Sequence, residues 1–152
     1  MKSRKYEKLA AYWNRQDALQ VKFDAAEKFR DAKTMNACQD AYQNLLQEVR
    51  AEGETFGEMM RLYSDMKIRG NSRLDLSGTY REPEKIIQVF RAFGVEEFTF
   101  SSTWSSSIQV AWEFTQLGCK MKGLEQIAGS NRKWGSDEYE KVPALVFAIE
   151  ED

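Results

Sequence analysis

The first 52 residues contain neither glycine nor proline; all nine glycines and both prolines stand at Gly53 or later. These residues are the main punctuation of helices, so the front of the chain is free to run in long helical stretches. Its apolar residues keep helical spacing: Tyr6, Leu9, Ala10 and Trp13, then Leu19, Phe23, Ala26 and Phe29. A second stripe of Met35, Cys38, Ala41, Tyr42, Leu45 and Val49 predicts a helix from Lys33 to Ala51 that Gly53 ends. The break before it falls between Asp31 and Thr34, both of them N-cap residue types. Thr55 with Glu58 has the pattern of a capping box opening a third helix, with Phe56, Met59, Met60, Tyr63 and Met66 on its apolar face. Connections this short favour an antiparallel hairpin or bundle.

Helical periodicity stops at Lys67. The segment 68–82 reads as a loop with turn signals at Gly70-Asn71 and Ser77-Gly78 and room for a short strand at Arg73–Leu76. Pro83 opens a fourth helix that Gly94 closes, with Ile86, Ile87, Phe90 and Phe93 on its buried side. Val95–Ser102 alternates as a strand. Ser106 and Gln109 form a second capping box before a helix through Leu117, with Ile108, Ala111 and Trp112 along one side and Val110, Phe114 and Leu117 beside it. Cys119–Ala128 reads as a strand, Gly129–Lys141 as a polar loop and Val142–Glu150 as the last strand. That strand is apolar on both faces, which places it centrally in its sheet. The expected fold is α+β: an N-terminal helical hairpin or bundle of three helices, then a helix and a β-α-β-β unit. The unit makes a small three-stranded mixed sheet of order 1-3-2. One domain over 1–152 is expected, helical to about 67, with the loop at 68–82 and the helix and sheet from 83.

Composition narrows the chemistry more than the fold. The 42% hydrophobic content suits a packed core rather than disorder. There is no histidine, which removes Ser-His-Asp and Cys-His catalysis and the common zinc sites. Cys38 and Cys119 form no Cys-x-x-Cys pattern and read as reduced, buried residues. Up to Gly94 there are 17 basic and 14 acidic residues; beyond it there are 5 and 10, and the whole chain carries -2. The longest apolar run, Pro143–Ile149, is too short to span a bilayer, and no signal-peptide stretch follows Met1. A soluble, cytoplasmic protein without cofactor or metal is expected.

Four features are candidate sites. The serine-rich turn Ser101–Ser107 enters a helix, so Ser105, Ser106, Ser107 and Trp104 are candidate anion or partner contacts. The turn has no glycine to bring the backbone onto a phosphate, and capping, with Trp104 as a lid over the core, is its structural reading. The basic loop of Arg69, Asn71 and Arg73, with Lys67 and Arg81 beside it, suits phosphate or carboxylate recognition, and Tyr80 suits stacking on a base. Met59, Met60 and Met66 read as core, with an adaptable groove as the other reading. Trp134 and Tyr139 on the polar loop Asn131–Tyr139 have the character of interface anchors. For catalysis only generic pairs exist, Glu138 with Glu140 and Asp75 with Arg73, along with Cys119, which follows a helix rather than opening one. The chain is expected not to be an enzyme.

Arg69-Gly-Asn71, the run Phe98–Ser106, the run Glu138–Ala144 and the Tyr12-Trp13 helix together resemble a family of uncharacterised small proteins. That family is carried by conjugative elements and phages of gut Firmicutes. The resemblance implies accessory cargo of a mobile element, where inhibitors of host defence of the anti-CRISPR or anti-restriction type are common. Such inhibitors act by binding an effector. The resulting expectation is a non-enzymatic protein-binding factor directed at a host defence nuclease, contacting it through the Arg69–Arg73 and Trp134–Tyr139 loops. The alternative is a nucleic-acid-binding factor using Lys67, Arg69, Arg73 and Arg81. Pairing of the front helices between chains would make a homodimer.

Overall fold

The computed structural model describes residues 4–77 and 82–150. The chain divides into two compact units, Arg4–Arg61 and the part from Leu62 onward.

In the first unit the glycine-free front forms α1 (Arg4–Lys28) and α2 (Ala32–Glu52), followed by the opening turns of α3 (Glu54–Arg69). The turn between α1 and α2 places Arg30 in the left-handed region at φ 55. Asp31 caps α2: its carboxylate accepts from the Thr34 amide at 3.1 Å and from the Thr34 hydroxyl at 2.6 Å. Those bonds hold its carboxyl below the usual range. Lys8 pairs with Glu52 and Arg15 with Glu48, a falling register that makes α1 and α2 antiparallel. Leu9, Tyr12, Trp13, Leu45, Val49 and Phe56 are buried, with the Tyr12 and Phe56 rings edge to face at 6.2 Å. One expectation changes here. α3 begins at Glu54, so Thr55 lies inside the first turn rather than at the cap.

The second unit is built on a mixed sheet of β1 (Leu74–Leu76), β2 (Glu97–Phe100), β3 (Cys119–Arg132) and β4 (Tyr139–Ile149), with α4 (Pro83–Phe93) and α5 (Ser107–Gln116). The sheet has four strands rather than three, in the order β1-β2-β4-β3. The extra strand is β1, which pairs in parallel with β2 through Leu74↔Phe98 and Leu76↔Phe100. Three residues are too few to show an alternation in sequence; a partner strand defines them. β4 lies between β2 and β3, as its two apolar faces predict, and it runs antiparallel to both.

The β3–β4 hairpin is longer than expected. Strand pairing continues to Arg132↔Tyr139, so the polar loop of 129–141 contracts to the turn 133–138. Polar side chains do not prevent a backbone ladder. Gly129 is needed in it, because a Cβ there would stand 2.9 Å from Val142 Cγ1.

The core of this unit is aromatic. Phe98 of β2 lies 5.2 Å from both Phe90 of α4 and Phe114 of α5, and 5.4 Å from Phe147 of β4, centroid to centroid. All four rings are completely buried. Such pairs contribute about 0.5–1.5 kcal/mol each beyond the area they bury, and they fix α4 and α5 to one face of the sheet.

Candidate functional site

That helix-covered face is not fully covered. α5 buries Val110, Ala111 and Phe114 against the aromatic core. Its other apolar flank faces solvent, with Ile108 86% and Trp112 60% exposed. Of the three residues that the sequence puts on one side of this helix, Ala111 is buried while Ile108 and Trp112 are exposed. Alongside, the edge strand β3 is buried at Cys119 and again at Ile127 and Ala128, while Met121 between them is 45% and Leu124 72% exposed. Pairing of Met121 with Phe147 and of Leu124 with Leu145 puts both on the same sheet face as α5. Between these walls runs an open groove of about 460 Å³, floored by Phe100, Ala144 and Leu145. Ser102, Thr103 and Thr115 are among the residues that rim it, and no charged residue lines it.

The serine-rich turn forms one end of this groove. Ser106 is the N-cap residue of α5, but its side chain makes no capping hydrogen bond, so the capping box with Gln109 does not form. The turn is held instead by Ser107, whose hydroxyl donates to the Trp104 carbonyl at 2.6 Å and lies 3.1 Å from the Ser102 hydroxyl. Ser105 is exposed. Trp104 is 65% exposed and so is not a lid over the core. The Trp104 ring, which sequence reasoning assigned to packing, is left outside by the fold, and the Trp112 ring stands outside with it. A helix with apolar residues on more than one flank was the available signal.

The basic loop is engaged inside the fold. Asn71 acts as a strand mimic: its side chain accepts from the Ala128 amide and donates to the Ala128 carbonyl, both at 3.0 Å. Arg73 donates to Glu97 at 2.8 Å and to Glu125 at 2.7 Å. β1 and β3 are opposite edges of the sheet, so these contacts require it to curl until the segment before β1 meets β3. The bulge between Met121 and Gly123, with Gly123 at φ 146, supplies local bending.

Arg69 lies about 4 Å from both Asp65 and Asp75. Asp75 also accepts from the Thr99 and Ser101 hydroxyls at 2.7 Å each. Burial pushes its carboxyl above the usual range, against the opposing pull of those hydroxyls and of Arg69. Asp75 and Arg73, a pair considered for catalysis, each have other partners. Arg81 and Tyr80 lie outside the described residues.

The hairpin tip presents Trp134 at 100% exposure beside Lys133, which pairs with Glu138 at 3.4 Å. Tyr139 is half-buried, with the Arg132 guanidinium 5.5 Å over its ring. Met59 and Met60 are buried. Burial pushes the Cys119 thiol up to about 11, so it is protonated at neutral pH. Among the described residues no cluster of acids and cysteines could hold a metal ion, and no helix is long and apolar enough to cross a membrane.

The chain matches no curated protein and no solved structure. Residues 58–149, which include both helices and all four strands around the groove, match the family model described as "Domain of unknown function (DUF7698)". With most of its length inside that model, the chain belongs to this family of unknown function.

Proposed function

We propose that this chain is a non-enzymatic accessory factor that docks a partner protein in the groove between α5 and β3. The observation that carries the reading is Ile108, Trp112, Met121 and Leu124 standing exposed around one uncharged groove. Contiguous exposed apolar surface with a polar rim is the mark of an interaction site. Large apolar and aromatic side chains converging at one point are what hot spots are made from. No acidic, basic or thiol side chain is among the lining residues, so binding rather than turnover suits the groove. The partner class follows from the motif resemblance: a host defence effector, held by shape, with the factor borne on a mobile element.

The experiment is capture of partners from bacterial host lysate on the wild-type chain and on Leu124→Asp, followed by titration calorimetry with the purified partner. Loss of a central apolar contact weakens binding by ~10-fold or more. A partner that binds both forms equally well would falsify this reading.

A second reading is favoured by the hairpin tip, where fully exposed Trp134 stands between Lys133 and Gly135, close to Arg132. An exposed ring beside cations suits stacking on a single-stranded nucleic acid. Anisotropy of a labelled oligonucleotide should then fall steeply with added salt and with Trp134→Ala. Binding that ignores both removes this alternative.

A further inference from the structure

We propose that the chain pairs with a second copy of itself through the outer half of the α1–α2 hairpin, two hairpins together making a four-helix bundle. This surface shares no residue with the groove between α5 and β3, and the inference does not rest on that reading.

The hairpin is sealed along half of its length. Away from the turn, Leu9, Tyr12 and Trp13 of α1 and Leu45 and Val49 of α2 are buried, and Phe56 of α3 packs edge to face on Tyr12. The same stripes run on towards the turn at helical spacing, as Leu19, Phe23 and Ala26 on α1 and as Met35, Cys38 and Tyr42 on α2. Of residues 16–44 only Ala26 and Cys38 are buried; Leu19, Phe23 and Met35 are half-buried and Tyr42 is exposed. An open groove of about 490 Å³ lies there, with Leu19, Phe23, Cys38 and Tyr42 in a lining drawn from α1 and α2 alone. Two helices side by side bury only the line along which they touch. A stripe this wide needs further helices over it.

The polar residues around this groove select the occupant. Over residues 34–47 Asp40 is the sole charged residue, although 30% of the chain is charged. Asn36, Gln39, Gln43, Asn44 and Gln47 are nevertheless exposed. A helix face turned to water ordinarily carries charges, and their depletion marks the centre of an interface. Gln16, Gln20, Gln39 and Gln43 line the groove among the apolar residues, and Gln20 also donates to Asp24 at 2.9 Å. Each amide is both donor and acceptor. The surface is therefore complementary to itself, since the same groups meet across a two-fold axis without repulsion. A foreign partner selected by charge would find one carboxylate in the lining, Asp40, to recognise. Size sets the strength. The outer half of two helices, about 13 residues long, presents a face of roughly 20 Å by 20 Å. That is small for an interface, so the dimer is reversible in the micromolar range.

The test is sedimentation velocity of the full chain from about 1 to 200 µM, a span that brackets micromolar dissociation. The mass should move from monomer towards dimer across it. Gln39→Lys with Gln43→Lys puts like charges on both sides of the interface and should weaken pairing at least ~10-fold, as should Gln39→Glu with Gln43→Glu. Both positions are exposed, so the thermal midpoint of each variant should stay near that of the wild type. Mixing the lysine form with the glutamate form should restore the dimer, at higher affinity than either form shows alone. This last reading separates repulsion at the interface from damage to the fold.

A chain that stays monomeric to the top of that range overturns the inference. So does a dimer that both charged pairs leave unchanged, or a mixture of the two forms that fails to pair. A dimer that dissociates on Leu124→Asp instead places self-association in the groove between α5 and β3 and overturns pairing through the hairpin. Leu124-dependent capture of another protein by a monomeric chain overturns the pairing alone and leaves the docking reading standing.

Discussion

α4 and α5 are neighbouring helices on one face of one sheet, yet they treat their apolar residues oppositely. α4 buries every member of its stripe: Ile86, Ile87, Phe90 and Phe93. α5 buries Val110, Ala111 and Phe114 but leaves Ile108 and Trp112 in water. The difference is position. A helix flanked by a neighbour and backed by a sheet can cover a wide stripe. α5 packs against α4 on one side and borders the exposed Met121 and Leu124 of β3 on the other. The apolar surface left exposed on α5 is the surface on which the proposed docking rests.

The largest effect that would break this comparison is at the shared core. Phe90→Ala on α4 and Phe114→Ala on the inner side of α5 should each destabilise the fold by about 3–5 kcal/mol in urea unfolding. A small loss for Phe114→Ala would mean that α5 is not held by the core and that the contrast of its flanks has no basis. Next comes the junction of the two helices. Arg91 of α4 donates to the Leu117 carbonyl at the end of α5 at 2.8 Å, passing directly over Gly118. Gly118 has φ 88, and a Cβ there would lie 2.6 Å from Arg91 Nη2. Gly118→Ala should therefore lower stability by about 1–3 kcal/mol, read as a drop in thermal midpoint.

The opposite, polar face of the sheet should respond to pH. Burial raises the folded-state pKa of Asp75, so the folded chain binds this proton more readily than the unfolded chain does. Its contribution to stability is full below the unfolded pKa and is lost as pH rises through the folded value. Asp75→Asn should flatten that part of the profile of urea midpoint against pH; an unchanged slope would place the burial elsewhere. The smallest stability effects sharpen the comparison most. Trp112→Ala and Ile108→Ser should change stability by no more than about 0.5 kcal/mol, although the same two changes should abolish partner binding. A loss of several kcal/mol for Trp112→Ala would show that the outer flank of α5 is core after all.

Much of this could be read from residues close together in the chain. Pro83 and Gly94 bracket α4, with Gly94 at φ 74 in the left-handed cap position, and the phenylalanines between them keep helical spacing. The central place of β4 followed from its two apolar faces. The roles of Asn71 and Arg73 could not be read in this way. Their partners Ala128 and Glu125 stand 57 and 52 residues further on, and a basic loop looks the same in sequence whether it is spent inside or offered outside. The distal β3–β4 ladder was hidden for a related reason: its polar residues resemble a loop until two backbones are brought into register. The candidate site was half legible. Trp134 was visible as an exposed anchor, whereas Trp112 was read only as part of one side of a helix.

Local chemistry along the chain determined where helices start and stop, which strand lies deepest, and that no imidazole is present for catalysis. Only the tertiary structure decided which apolar residues are covered. Coverage depends on neighbours delivered by pairings between distant segments, and a hydrophobic stripe records the tendency to leave water without recording what, if anything, arrives to cover it.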